Sequence, residues 1–180
     1  MTYGKAQKET EVVILPNPNL TYSAADFEAQ QQLLGNIETA LKSIHESVTQ
    51  MRKAQKQLDH YSAILKDKAA HKDLYSQAQS ITEKLKNWEK VLIQPSQKTF
   101  QDVINFNNKL NAELMYLKGF VDAEEPKVTQ GAKDRYRDIS SLWLKHTKVL
   151  KQIIEEDFSA FEAAYRAANI PLLSIELDSL

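Results

Sequence analysis

Four histidines, His45, His60, His71 and His146, are the side chains best suited to metal or proton-transfer chemistry, so their neighbours decide what they can do. In a helical protein a di-metal carboxylate centre needs Glu-x-x-His pairs projecting inward from two helices. The residues three before these histidines are Lys42, Gln57, Lys68 and Trp143, none of them acidic. No His-Glu-x-x-His, Ser-x-x-Lys or Gly-x-Ser-x-Gly occurs, and no glycine loop is built to cradle a phosphate. The chain has no cysteine, which removes disulfides and thiolate metal sites and leaves the redox compartment open. The sequence therefore predicts no catalytic residue, no metal ligand and no cofactor site.

The remaining chemical candidates have plainer readings. His146 falls on an apolar helical seam, where a core-edge imidazole donating one hydrogen bond accounts for it better than a pH switch does. Trp88 and Trp143 are in phase with apolar ladders and so read as core rather than as a binding surface. Arg52, Lys53 and Lys56, and then Lys84, Lys86 and Lys90, form local basic groups that Glu46, Asp59, Glu83 and Glu89 interrupt. A nucleic-acid partner would require a continuous basic stripe, so none is expected. The acidic runs Glu124-Glu125 and Glu155-Glu156-Asp157 lack the converging cleft of a glycosidase carboxylate pair. Asn19-Leu20-Thr21 matches the N-glycosylation acceptor pattern, which is short and frequent.

The elements that would have to position any site are helices. Leu34, Ile37, Leu41, Ile44, Val48 and Met51 follow a 3-4-3-4-3 spacing, resumed by Leu58, Tyr61 and Leu65. Such spacing lays one apolar stripe along a helix, and the stripe must be buried. Ser23 and Asp26 form a capping-box start, Tyr22 and Phe27 suit a hydrophobic staple, and the helix should run to about Asp67, roughly 66 Å. Gln55 is the one polar break in its seam. Leu74, Ala78, Ile81, Leu85, Trp88 and Leu92 mark a second helix closed by Pro95, and Gln94–Asn105 reads as irregular. Leu110, Leu114, Leu117 and Val121 mark a third, with Pro126 after it. Thr129 caps a fourth, whose ladder is Tyr136, Ile139, Trp143, His146, Leu150 and Ile153 before the stripe shifts to Phe158, Phe161, Tyr165 and Ala168. Asn169 suits a left-handed C-cap and Pro171 forbids continuation. Four asparagines, Asn105, Asn107, Asn108 and Asn111, at the start of the third helix read as an elaborate N-terminal cap.

The expected fold is therefore all-α: an elongated helical bundle of long, short, short and long helices, about three-quarters helical or more. The two short helices are expected to form a segmented arm beside the long ones; the alternative folds the third back against the second. Composition agrees with one core-forming domain, with 180 residues, 42% hydrophobic and 26% charged. Net charge of -1 recruits neither nucleic acid nor an anionic membrane. No stretch approaches the ~18 apolar residues of a membrane span, and the opening residues lack a signal-type apolar region. Ahead of the helices, Tyr3-Gly4-Lys5 reads as a turn and Glu11–Leu15 as a β-prone run. Pro16-Asn17-Pro18-Asn19 then breaks regular structure. Residues 1–19 are read as the tail of an upstream β-domain with its linker, 20–172 as the bundle, and 173–180 as a C-terminal tail. The unpaired run at Lys8–Leu15 is expected either to lie exposed or to pair with the same strand of another copy.

Several stretches carry a resemblance. Val91-Leu92-Ile93-Gln94-Pro95, Gln101–Phe106, Asn108-Lys109-Leu110-Asn111, Leu117 and Gly119-Phe120-Val121-Asp122-Ala123 are similar to the C-terminal helical region of bacterial BNR-repeat, sortilin-like proteins. Pro16–Leu20 and Thr129–Ala132 agree with the same pattern, so the likeness spans nearly the whole chain in order. Its motifs are caps and loops, and it departs from the pattern where Asn107 and Asn108 replace prolines. The resemblance implies a periplasmic or extracellular accessory domain of a large exported protein, often labelled a glycosyl hydrolase. Its partner would be that protein's own β-propeller or β-domain. The Asp-box Ser-x-Asp-x-Gly-x-Thr-Trp is absent, so no propeller and no catalytic residue carries over, and this piece alone is expected to be non-enzymatic. The alternative is an independent coiled-coil adaptor that takes partner helices in an open groove.

Overall fold

The computed structural model describes residues 2–3, 6–7, 9–15, 17–19, 21–123 and 125–170. The protein is all-α and 76% helical. Helix α1 spans Ala24–Leu65, α2 Lys72–Leu92, α3 Leu110–Val121, α4 Gln130–Gln152 and α5 Ser159–Ala167. A π-helical turn, Ile153–Phe158, joins α4 to α5 without a break, and 3-10 turns occupy Ala69–His71 and Phe100–Ile104.

Helix α1 starts where its side chains can replace missing backbone partners. Ser23 accepts from the Asp26 amide at 3.3 Å, and Asp26 accepts from the Ser23 amide at 2.9 Å, so each satisfies a donor of the first turn. From there α1 continues unbroken for 42 residues, about 63 Å, straight through Gln55. Leu34, Ile37, Ile44, Val48, Leu58 and Leu65 are buried, and Leu41, Met51 and Tyr61 pack against them half-buried. All six residues of the predicted α2 ladder and all four of the α3 ladder are buried as well.

Cross-chain ties place these helices along α1. Gln30, near its N-terminus, donates through Nε2 to the carbonyls of Val121 and Ala123, at 2.8 and 3.0 Å. Glu38 meets Lys118 of α3 at 2.7 Å, and Arg52 meets Glu89 of α2. Thus α3 lies on the N-terminal half of α1 and α2 on the C-terminal half. Helix α4 packs on both: Arg135 reaches Glu113 of α3 at 2.6 Å, while Trp88 of α2 donates to the His146 carbonyl at 2.9 Å.

One local expectation changes on inspection, and two others become specific. The asparagines do not cap α3; Lys109 is its N-cap residue and supplies no side-chain bond. The preceding loop is instead folded by Asp102, which accepts from the Lys98 and Thr99 amides at 2.7 Å, and by Gln97 and Gln94, which donate to the Phe106 and Asn107 carbonyls. A carboxylate accepting two amides is a stronger organiser than neutral asparagine, and it holds Asp102 below the ordinary aspartate range. The ladder shift in the last helix is a π turn: the five-residue step from Ile153 to Phe158 inserts one residue into a heptad and widens the helix to hold it. The β-prone run at Glu11–Leu15 takes no strand; Val12–Leu15 are exposed without regular structure, the first of the two fates expected for an unpaired run. Strands β1 (Thr2–Tyr3) and β2 (Ala6–Gln7) form a two-residue antiparallel ladder ahead of it. The Gly4-Lys5 turn, Pro16, Pro171 and the 173–180 tail lie outside the described residues. The C-cap reading holds at Asn169, whose φ of 48° is left-handed.

Candidate functional site

The π turn lines one side of a concavity between the last helix and α1. By adding one residue after Ile153 it carries the apolar stripe onward, so Phe158, Phe161 and Tyr165 continue to face inward. Across from them α1 presents Leu58 and Tyr61, and between the two walls runs a groove of about 580 Å³. Tyr61 and Tyr165 have ring centroids 4.8 Å apart and tilted by 57°, and Phe161 lies 6.0 Å from each. These are the offset, inclined contacts that aromatic quadrupoles favour. Burial raises the Tyr165 hydroxyl above the ordinary phenol range, with Tyr61 adding to it. Gln57, Ser159, Glu162 and Arg166 form the rim, where Arg166 and Glu162 are already joined at 3.1 Å. The groove can hold an apolar body against aromatic faces. Its ionisable rim pair is exposed, and no nucleophile–base pair meets inside it.

The residues singled out for chemistry are scattered among inter-helix ties. Trp88 is 3% exposed, with its indole N–H satisfied by the His146 carbonyl, so it is core. Trp143 packs half-buried against the same cluster. His146 is half-buried; it engages through its carbonyl rather than through the donating imidazole expected, and burial lowers its pKa. His45 and His60 are exposed on α1, and His71 sits in a 3-10 turn. The first basic group gives up Arg52 to Glu89: Arg52 Nε donates to a carboxylate oxygen at 3.0 Å, and a terminal guanidinium nitrogen meets the same oxygen. The hydrogen bond to Glu89 holds the guanidinium pKa up against partial burial. The second gives up Lys84 to Asp157 of the π turn, at 2.7 and 2.8 Å. In the acidic run Glu155 meets Lys151 at 3.5 Å and Glu156 accepts from Gln152 at 3.0 Å. Glu125 is exposed, while Glu124, and Leu20 of the glycosylation pattern, lie outside the described residues.

Among the described residues no group of three or more His, Asp or Glu side chains could hold a metal ion, and no helix is long and apolar enough to cross a membrane. Comparison with protein families, curated proteins and solved structures finds no match to this chain. The aromatic groove itself was not foreseen from sequence. Leu58, Tyr61, Phe158, Phe161 and Tyr165 were on predicted ladders, and the shift of stripe after Ile153 was visible, but which residues it would set opposite α1 was not.

Proposed function

We propose that the chain is a non-catalytic helical accessory domain of a larger exported protein of the BNR-repeat, sortilin-like kind, acting as a stiff support for a neighbouring β-propeller or β-domain. In this reading residues 20–172 form an elongated bundle in which α2 and α3 make a segmented arm along α1, and the segment before Ser23 leads out of a β-domain. The domain works in the periplasm or outside the cell, and any glycoside chemistry belongs to other parts of the parent protein. The observation that supports it is the clamping of α1 along its length: Gln30 and Glu38 meet the end of α3, Arg52 meets α2 and Tyr61 meets α5. Trp88, Arg52 and Lys84 serve as ties between helices.

The test is the complete reading frame and its product. Propeller repeats upstream, with hydrolase activity that survives deletion of residues 20–172, support the proposal. Turnover of sialosides or other glycosides by the 180-residue chain alone, abolished by one point change within it, overturns it.

The groove between Tyr61 and Tyr165 favours a second reading, an adaptor that receives the apolar face of a partner helix. A library of amphipathic helical peptides that bind the wild-type chain, and not Tyr61→Ala, is its test.

A further inference from the structure

Helix α1 is tied firmly on one side and loosely on the other. Gln30, Glu38 and Arg52 hold α3 and α2. Among the described residues one hydrogen bond joins α1 to α4, from the Tyr136 hydroxyl to the Asn36 carbonyl at 3.4 Å. Three depressions open along this loose side. The first, of about 280 Å³, lies between Ala29, Asn36 and the start of α4. The second, of about 600 Å³, lies between Ser47, Gln50 and the end of α4, and the third is the aromatic groove of about 580 Å³. Ile154 lines both the second and the third. All three therefore belong to one seam between α1 and the continuous α4–α5 helix, running from Ala29 to Tyr61, or about 48 Å.

The α1 wall of the seam carries no charge. Two neighbouring rows repeat there every seven residues: Leu33, Ala40, Ser47, Ala54 and Tyr61, and the row that starts at Ala29 and ends at Gln57. Heptad rows of this kind seat the side chains of an adjoining helix. The α4 edge of the seam is cationic. Lys133 borders the first depression, and Arg137, Lys148 and Lys151 fall within about 60° of it around the helix. All four are exposed. Lys133 and Lys148 make no ion pair among the described residues, while Arg137 and Lys151 meet only Asp134 and Glu155 of their own continuous helix. Exposed pairs of that kind contribute little and are easily exchanged.

We propose that this seam receives one long helix of a protein partner. The helix has about 30 residues, to match the seam. It lays an uncharged apolar face between α1 and α4, and it carries a row of Glu or Asp along the edge that meets Lys133, Arg137, Lys148 and Lys151. The proposal rests on the adaptor reading above and extends it from the Tyr61–Tyr165 groove to the full seam. Apolar contact supplies the attraction, and the charged edge selects the partner and sets which way its face is laid.

Fluorescence anisotropy with labelled synthetic peptides and the full 180-residue chain tests it. The probe is a heptad peptide of about 28 residues with Leu and Ala on one face and Glu along its edges. One control carries Lys in place of Glu, and another is half as long. The Glu-edged peptide should bind about tenfold tighter than the Lys-edged one. The chain's net charge of -1 would by itself favour the opposite order, so the preference reports the local edge. The double variant Lys133→Glu/Lys148→Glu should reverse the order with circular dichroism unchanged, since both lysines are exposed. Equal binding of the Glu- and Lys-edged peptides to wild type overturns the charged seam and leaves the adaptor reading standing. A half-length peptide that binds as tightly as the full one confines the site to the aromatic groove and overturns the extension. Binding by no peptide overturns both readings. A dimer of the chain alone that Lys133→Glu/Lys148→Glu dissociates in sedimentation gives the seam to a second copy, and overturns the proposed partner.

Discussion

The indole N–H of Trp88 reaches the backbone carbonyl of His146 at 2.9 Å, so one side chain of α2 fixes how far along itself α4 is held. Trp88 is 3% exposed and closes the middle of the core, where α4 has passed beyond α3. Trp88→Phe keeps most of the volume and loses the hydrogen bond, and should cost about 1–2 kcal/mol. Trp88→Ala leaves a cavity and should cost about 3–5 kcal/mol. Urea unfolding followed by circular dichroism separates the two, and Trp143 remains as a fluorescent reporter in both variants.

His146 predicts a pH dependence with a definite sign. Burial lowers its pKa in the folded chain, so the unfolded chain, titrating near 6.5, binds the proton first. Its contribution is fully present above the unfolded pKa and is lost as pH falls through the folded one. Wild type should therefore lose stability as pH falls below about 6.5, and His146→Gln should lose less over the same fall. Thermal melts at half-unit pH intervals measure the difference in slope.

Arg52 and Glu89 should respond unequally to deletion. Glu89 is 7% exposed, whereas the Arg52 side chain is 53% exposed. Arg52→Met strands a buried carboxylate and should cost about 2–3 kcal/mol. Glu89→Leu releases a guanidinium that water can solvate, and should stay within about 1 kcal/mol of wild type. Equal losses in chemical denaturation would show that the pair acts as packing rather than as charge.

The π turn makes a deletion harmless at one place and damaging at another. Removing Glu156 shortens the Ile153-to-Phe158 step from five to four, which an α-helix accepts in phase with both ladders. That variant should fold with a stability within about 1 kcal/mol of wild type. Removing Ser141 instead rotates everything after it by about 100° relative to the preceding turns and should expose Leu150 and Phe161. Melting curves with near-ultraviolet circular dichroism of the tyrosine cluster distinguish a retained core from a lost one.

The parts of this fold that were legible in the sequence are those written by period. The α2 and α3 ladders could be read residue by residue because a 3-4 spacing maps directly onto one helical face. Ser23 with Asp26, Thr129 and Asn169 were legible because capping is local. The ties between helices were not. Nothing near Gln30 announces the Val121 carbonyl 91 residues away, and Arg52 resembles any exposed basic residue until Glu89 is beside it. The asparagine run misled because residue type suggested a cap where Asp102, with its charge, had taken the organising role upstream. The groove depends on one surplus residue, visible in the spacing yet without meaning until the opposite wall is in place.

Helix α2 ends at Leu92 and α3 begins only at Leu110, while α1 and α4 run on past the interval. A load applied along the long axis is therefore shared by fewer continuous helices there than on either side. Bending and shear will concentrate beside Trp88 and His146, and the Ile93–Lys109 loop can lengthen without tearing either long helix.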